Sequence, residues 1–215
     1  MALGPGIRRR LGRFEVAAAQ AYRSFFINLD DLAVTLASLT EAKRILEIGC
    51  GDGLFAQRLC EVFPEAEYVG IDVADNPGRL FRGDRSRVSF HTTAVSDFLA
   101  ESLDRFDLVA IVDVLHHVPP AQRVQVLGDA GRLVSANGTI AIKECERSRH
   151  PGYLSIYFAD RYFSGDKTVR FADRDELRHL MAQALPGFAV ACEARVPSLR
   201  ANLLYTLRRG DLAHD

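Results

Sequence analysis

The segment Glu47-Ile48-Gly49-Cys50-Gly51-Asp52-Gly53 decides the fold. Before it stands Arg44-Ile45-Leu46, a short apolar run that continues through Ile48 and reads as a buried strand. After it, Phe55, Leu59 and Val62 fall on one face of a helix that stops before Pro64. A strand that turns into a helix through glycines brings its backbone close to a ligand, because no side chains stand in the way. The helix start also offers unpaired N–H groups. The dinucleotide-binding pattern G-x-G-x-x-G fits at Gly49 and Gly51 but meets Leu54 where its third glycine belongs, which disfavours a nicotinamide enzyme. The pattern present is E-x-G-x-G-x-G, with an acid inside the strand.

Outward from this turn, strands and helices alternate. Tyr68 to Ile71 reads as a second strand ending at Asp72, Val88 to His91 as a weaker third, and Phe106 to Val112 as a strong fourth. Pro119-Pro120 suits a helix start, and Val124, Leu127 and Leu133 mark that helix's buried face. Asn137-Gly138 signals a turn before a fifth strand, Thr139 to Ile142. Asp173-x-x-Glu176 is a capping-box pattern opening a helix with Leu177, Leu180 and Met181 inward, and Gly187 stands near its end. Phe188 to Ala194 and Leu203 to Leu207 form a terminal hairpin. Upstream, Phe14, Ala18, Tyr22, Phe25, Leu29, Leu32 and Leu36 make a helical stripe, with Asp30-Asp31 as the cap of a second helix within it. Five alternations predict an α/β fold: a parallel sheet with helices on both faces and ligands at the carboxyl ends of its strands.

The chain has 215 residues, 48% hydrophobic and 26% charged, with a formal net charge of -1. That suits one elaborated domain and gives no global field for nucleic acid or an anionic membrane. Only Lys43, Lys143 and Lys167 are lysines; the arginine excess reads as codon bias. No apolar run is long enough to span a bilayer. Met1 to Arg13 carries Arg8-Arg9-Arg10 without an apolar region after it, unlike a secretion signal. Cys50, Cys60, Cys145 and Cys192 form no C-x-x-C pair, so reduced thiols in a cytoplasmic protein are expected, without a metal. A monomer or homodimer is expected.

The glycine segment, the acid Asp72 at the end of the second strand, the stretch from Asp107 through Asp113-Val-Leu-His116-His117, and Thr139 to Glu144 together resemble class I S-adenosylmethionine-dependent methyltransferases, over about residues 44–144. The resemblance implies a doubly wound, Rossmann-like, seven-stranded, mostly parallel sheet whose last strand is antiparallel. It implies S-adenosylmethionine as cofactor and S-adenosylhomocysteine as product. Glu47, Gly49, Cys50, Gly51 and Gly53 would shape the pocket for the methionine part. Asp72 would hold the ribose, Val73 would flank the adenine, and Asp113, Val114 and Leu115 would lie near the sulfonium. Many members carry an acid after the third strand that meets the adenine amino group. Here Thr93, Ala94 and Val95 occupy that stretch, leaving adenine to backbone groups or to Ser96-Asp97.

Methyl transfer needs an oriented acceptor and exclusion of water, and an oxygen acceptor such as a phenol also needs a base. His116, His117 and Glu144 are the catalytic candidates. Either histidine acts as a base or shapes the loop; Glu144 faces the cleft as an acid–base group, or pairs with Lys143 or an arginine. A zinc site from these three is disfavoured by ligand spacing. Residues 1–40 are expected to form a helical cap on a domain spanning 41–215, with a lid-like insertion at about 145–172 rich in aromatics, Phe171 among them. Substrate contacts are expected from Tyr22, Phe26, Tyr157, Asp160, Arg161 and Tyr162. The expected reaction is O-methylation of an apolar or aromatic small molecule. Quinone-type C-methylation, and cofactor binding without turnover, are the alternatives.

Overall fold

The computed structural model describes residues 28–147, 169–196 and 202–210. Its elements run α1 (Leu29–Leu39), β1 (Arg44–Ile48), α2 (Leu54–Val62), β2 (Glu67–Asp72), β3 (Val88–Thr92), α3 (Val95–Glu101), β4 (Phe106–Val112), α4 (Pro120–Leu133), β5 (Val134–Cys145), α5 (Arg174–Ala184), β6 (Phe188–Arg195) and β7 (Asn202–Arg209). One seven-stranded sheet has the order β3-β2-β1-β4-β5-β7-β6. The β1–β2, β1–β4, β2–β3 and β4–β5 pairs are parallel, and β7 is antiparallel to both β5 and β6. The strand order reverses between β1 and β4, so their loops diverge there and leave a crevice.

Alternation along the strands divides the core between the two faces. Leu46, Ile48, Val109, Ile111, Ile140 and Ile142 pack with residues of α4 and α5. Ile45, Leu108 and Ala141 face the other way, with residues of α1 and α2. Leu32, Ala33 and Leu36 of α1 are fully buried in that second layer, so this helix is part of the domain body. Its N-cap is Asn28, whose side chain accepts hydrogen bonds from the N–H groups of Asp30 and Asp31. The expected cap residues Asp30 and Asp31 thus stand in the first turn, where negative charge suits the helix dipole. Phe14, Ala18, Tyr22 and Phe25 lie outside the described residues.

Most sequence expectations hold. The Asp173–Glu176 capping box is formed, and Pro120 opens α4. Two differ. Helix α3, absent from the sequence reading, follows β3 directly. The Asn137-Gly138 signal does not precede β5 but lies within it. Pairing passes from Phe106–Val134 to Leu108–Thr139, five steps along β5 against two along β4, so the turn residues form a bulge.

The burial of α1 generates a test. Leu36→Ala is expected to lower the unfolding free energy by about 2–5 kcal/mol in urea titrations; a loss under about 1 kcal/mol would mark α1 as a detachable cap.

Candidate active site

A cavity of about 690 Å³ opens at the carboxyl ends of β1, β2 and β4. Among the described residues, Glu47, Asp72, Asp113 and Asp129 line it together with His117, and no lysine or arginine does.

The β1 loop forms one wall. Gly49 has φ +75°, and a Cβ there would stand 2.4 Å from Val114 Cγ2, so only glycine lets this loop approach the β4 loop. The N–H groups of Gly49 and Cys50 donate to Ile71 O (2.8 and 3.1 Å), and Gly51 N donates to Asp72 Oδ2 (2.7 Å). These three bonds tie the loop to the end of β2. Asp72 Oδ1 accepts from Ala74 N at 2.8 Å. Two backbone donors thus aim the carboxylate while leaving lone pairs for a ligand. Glu47 is buried and accepts from Tyr68 Oη at 2.5 Å, a partner the sequence reading did not single out. Burial, then the charges of Glu47 and Asp72, push the Cys50 thiol far up, so it stays protonated and is no nucleophile. Gly53 (φ +85°) is not in the lining: a Cβ there would meet Gly78 Cα at 2.8 Å, a packing constraint.

The β4 loop forms the opposite wall, and two adjacent β5 residues hold it. Lys143 shares a face with Ala141, whereas Glu144 shares one with Ile142. Lys143 Nζ donates to both oxygens of Asp113 at 2.7 Å, and Asp113 N donates to Lys143 O at 2.9 Å. Asp113 takes φ +57°, a conformation that costs a non-glycine residue about 1–3 kcal/mol and persists because its partners enforce it. Burial pushes its carboxyl up, but the Lys143 ammonium prevails and holds it below the ordinary range. Glu144 accepts from Val114 N (3.0 Å) and Leu115 N (2.6 Å), and its Oε2 lies 2.7 Å from His116 Nδ1.

This geometry corrects three expectations. Glu144 is 2% exposed and does not face the cleft, and its neighbour Lys143 pairs with Asp113 instead. His116 is equally buried, stacked on Phe171 with centroids 4.5 Å apart, and is not in the lining. Leu115 belongs to the core. His117 alone of the three catalytic candidates lines the cavity, its ring 4.2 Å from that of His116.

Val73, Ala94 and Val95 line the cavity as expected, with Ser96, while Asp97 does not. Asp129 of α4 lines it without having been singled out; burial raises its carboxyl, and Arg132 only partly offsets this. The substrate candidates Tyr22, Phe26, Tyr157, Asp160, Arg161 and Tyr162 lie outside the described residues, as does most of the 145–172 insertion. The insertion's ends are described and anchored: Arg147 N donates to Ala172 O, and Arg170 N to His116 O. Asp113, His116 and Glu144 lie close enough together to suggest a metal site, but the Lys143 ammonium on Asp113 and the three donors on Glu144 already compensate those carboxylates. No helix among the described residues is long and apolar enough to cross a membrane.

The cavity suits a ligand with cationic groups and vicinal hydroxyls, and the comparisons agree with its architecture. A methyltransferase-domain family matches residues 46–140. The chain is 31% identical over 163 residues to the malonyl-[acyl-carrier protein] O-methyltransferase of Geobacter sulfurreducens, covering 71% of this chain and 59% of that protein. It is 26% identical to the ubiquinone biosynthesis O-methyltransferase of Chromobacterium violaceum, covering 79% of each. In general it spans about half the length of the curated relatives it matches. In fold it is similar to the Burkholderia thailandensis 1,6-didemethyltoxoflavin-N1-methyltransferase, solved with its substrate and S-adenosylhomocysteine. That likeness has a TM-score of 0.65 at 18% identity and covers 95% of this chain and 88% of the other. Together with the site, the matching methyltransferase domain, these relatives and the shared fold support a class I S-adenosylmethionine-dependent methyltransferase.

The Asp113–Lys143 pair predicts an acid limb of stability. Because the folded-state carboxyl titrates below its ordinary value near 3.8, its contribution is present above that value and is lost as pH falls below it. Urea midpoints measured from pH 6 to pH 3 are expected to fall less steeply below about pH 4 in Asp113→Asn than in the wild type. Equal slopes would show that the pair does not set this limb.

Proposed function

We propose that this chain transfers a methyl group from S-adenosylmethionine to the oxygen of an apolar or aromatic small molecule. The observation that carries the reading is the convergence of Glu47, Asp72 and Asp113 on one cavity beside Gly49, where a Cβ would close the wall. Carboxylates suit a cofactor that carries an ammonium, two ribose hydroxyls and a sulfonium. The oxygen-directed part draws support from the names of the relatives, which include malonyl-[acyl-carrier protein] and ubiquinone-biosynthesis O-methyltransferases.

In this reading Asp72, aimed by Gly51 N and Ala74 N, accepts from the ribose hydroxyls. Val73, Ala94 and Val95 flank the adenine. Glu47, held by Tyr68, faces the ammonium end, and Asp113 with Val114 stands by the sulfonium. The cofactor supplies an electrophilic methyl group: the S–CH₃ bond breaks as the acceptor–CH₃ bond forms, its electron pair stays on sulfur, and any acceptor proton passes to a base or water. His117 is the base, because among the described residues it alone of His116, His117 and Glu144 lines the cavity. His116 and Glu144 are positioning residues that set the loop carrying it. The apolar wall of Phe55, Val112 and Val118 excludes water from the methyl group.

Calorimetric titration tests the cofactor assignment. The wild type is expected to bind S-adenosylmethionine and not NAD, with the dissociation constant raised about 10–100-fold in Asp72→Ala, the effect of losing hydrogen bonds to a charged acceptor. Undiminished affinity in that variant, or a preference for NAD, would overturn the placement.

His117→Ala is expected to lower kcat about 10²–10⁴-fold with an acceptor that must lose a proton, while the cofactor's KM stays within about twofold. Full activity would leave His117 a loop-shaping role. Product analysis separates O-methylation from C-methylation, and binding without any product would make the chain a cofactor-binding scaffold.

A further inference from the structure

The cavity wall carries four carboxylates, and among the described residues no basic side chain except His117 lines it. One of the four is nevertheless neutralised from behind. Lys143 is 1% exposed, lies outside the lining, and places its ammonium symmetrically 2.7 Å from both oxygens of Asp113. Asp113 itself lines the cavity. Burying an ammonium is unfavourable unless it is paired, and the loop in turn takes a positive φ to complete this contact. An arrangement with such costs has an electrostatic consequence in the cavity.

A bare carboxylate beside a sulfonium would stabilise the cation most while the methyl group is still attached, because positive charge leaves sulfur as transfer proceeds. Stabilising the ground state more than the transition state slows a reaction. An ion pair presents only a weak field where an isolated carboxylate presents a full charge.

Resting on the cofactor placement proposed above, we propose that Lys143 is an electrostatic positioning residue that neutralises Asp113, so that the cavity does not hold the cationic cofactor strongly in preference to its neutral thioether product. Lys143 thereby tunes the ratio of affinities for S-adenosylmethionine and S-adenosylhomocysteine. These two ligands differ only in the methyl group and the positive charge it places on sulfur, so a change in their ratio between wild type and variant reports the charge on sulfur.

The experiment is calorimetric titration of the full chain with each ligand separately, which needs no acceptor. In Lys143→Met the ratio of affinities is expected to shift toward S-adenosylmethionine on the order of tenfold. Lys143→Arg keeps the wild-type ratio within about twofold, and the double variant Lys143→Met with Asp113→Asn returns to it, closing a double-mutant cycle. Asp113→Asn alone leaves an uncompensated ammonium and is expected to move the ratio the opposite way; it carries the test if Lys143→Met does not fold by circular dichroism. A merely structural Lys143 would weaken both ligands together and leave the ratio unchanged. An unchanged ratio in the folded variants, or equal tightening of both ligands, which would put the field at the shared ammonium, overturns the proposal. Failure of the cofactor assignment itself is distinguishable, since the wild type would then bind neither ligand.

Discussion

Two consecutive residues of one strand hold the site. Because side chains alternate across a sheet, Lys143 and Glu144 leave β5 on opposite faces, and the loop after β4 is gripped from both. Lys143 takes the carboxylate of Asp113, while Glu144 takes the N–H groups of Val114 and Leu115 and the ring of His116. Parallel pairing of β4 with β5 brings Val112 opposite Lys143 and so sets the loop within reach of both side chains. The positive φ of Asp113 is the backbone's answer to these constraints, and the position of His117 at the cavity follows from it.

The facing wall obeys a different constraint, that of close approach. Gly49 has no room for a side chain against Val114, so the two loops that diverge at the reversal of strand order still meet across the cavity. Asp72 closes the base of the glycine loop through Gly51 N and in doing so has its own orientation set. Buried polar groups of this kind are stable only when their partners are present. Glu47 with Tyr68, Asp113 with Lys143 and Glu144 with His116 each satisfy that condition, through a partner on a neighbouring strand or loop. The result is a cavity with acidic walls whose charges are fixed in place before any ligand arrives.

Much of this was legible in the chain itself. The strands β1, β2 and β4, the helix start at Pro120 and the Asp173 capping box depend on apolar runs, proline geometry and side-chain caps within a few residues. The terminal hairpin was legible for the same reason. Less legible was the bulge in β5, where Asn137-Gly138 has a turn's composition but pairing with β4 continues past it. The cap of α1 was misplaced because Asn28, Asp30 and Asp31 are all competent caps, and the backbone chooses among them.

By itself, the sequence determined the sheet, the glycine loop, the acids Glu47, Asp72 and Asp113, and the pair of histidines, because strand–turn–helix chemistry is local. Only the tertiary structure decided what those groups do. It turned His116 inward against Phe171, 55 positions later in the chain, and left His117 at the cavity. It withdrew Glu144 from the cleft and assigned Lys143 to Asp113 rather than to its neighbour. These outcomes turn on one backbone dihedral and on contacts between residues distant in the chain, and neither is encoded in the spacing of residues along it.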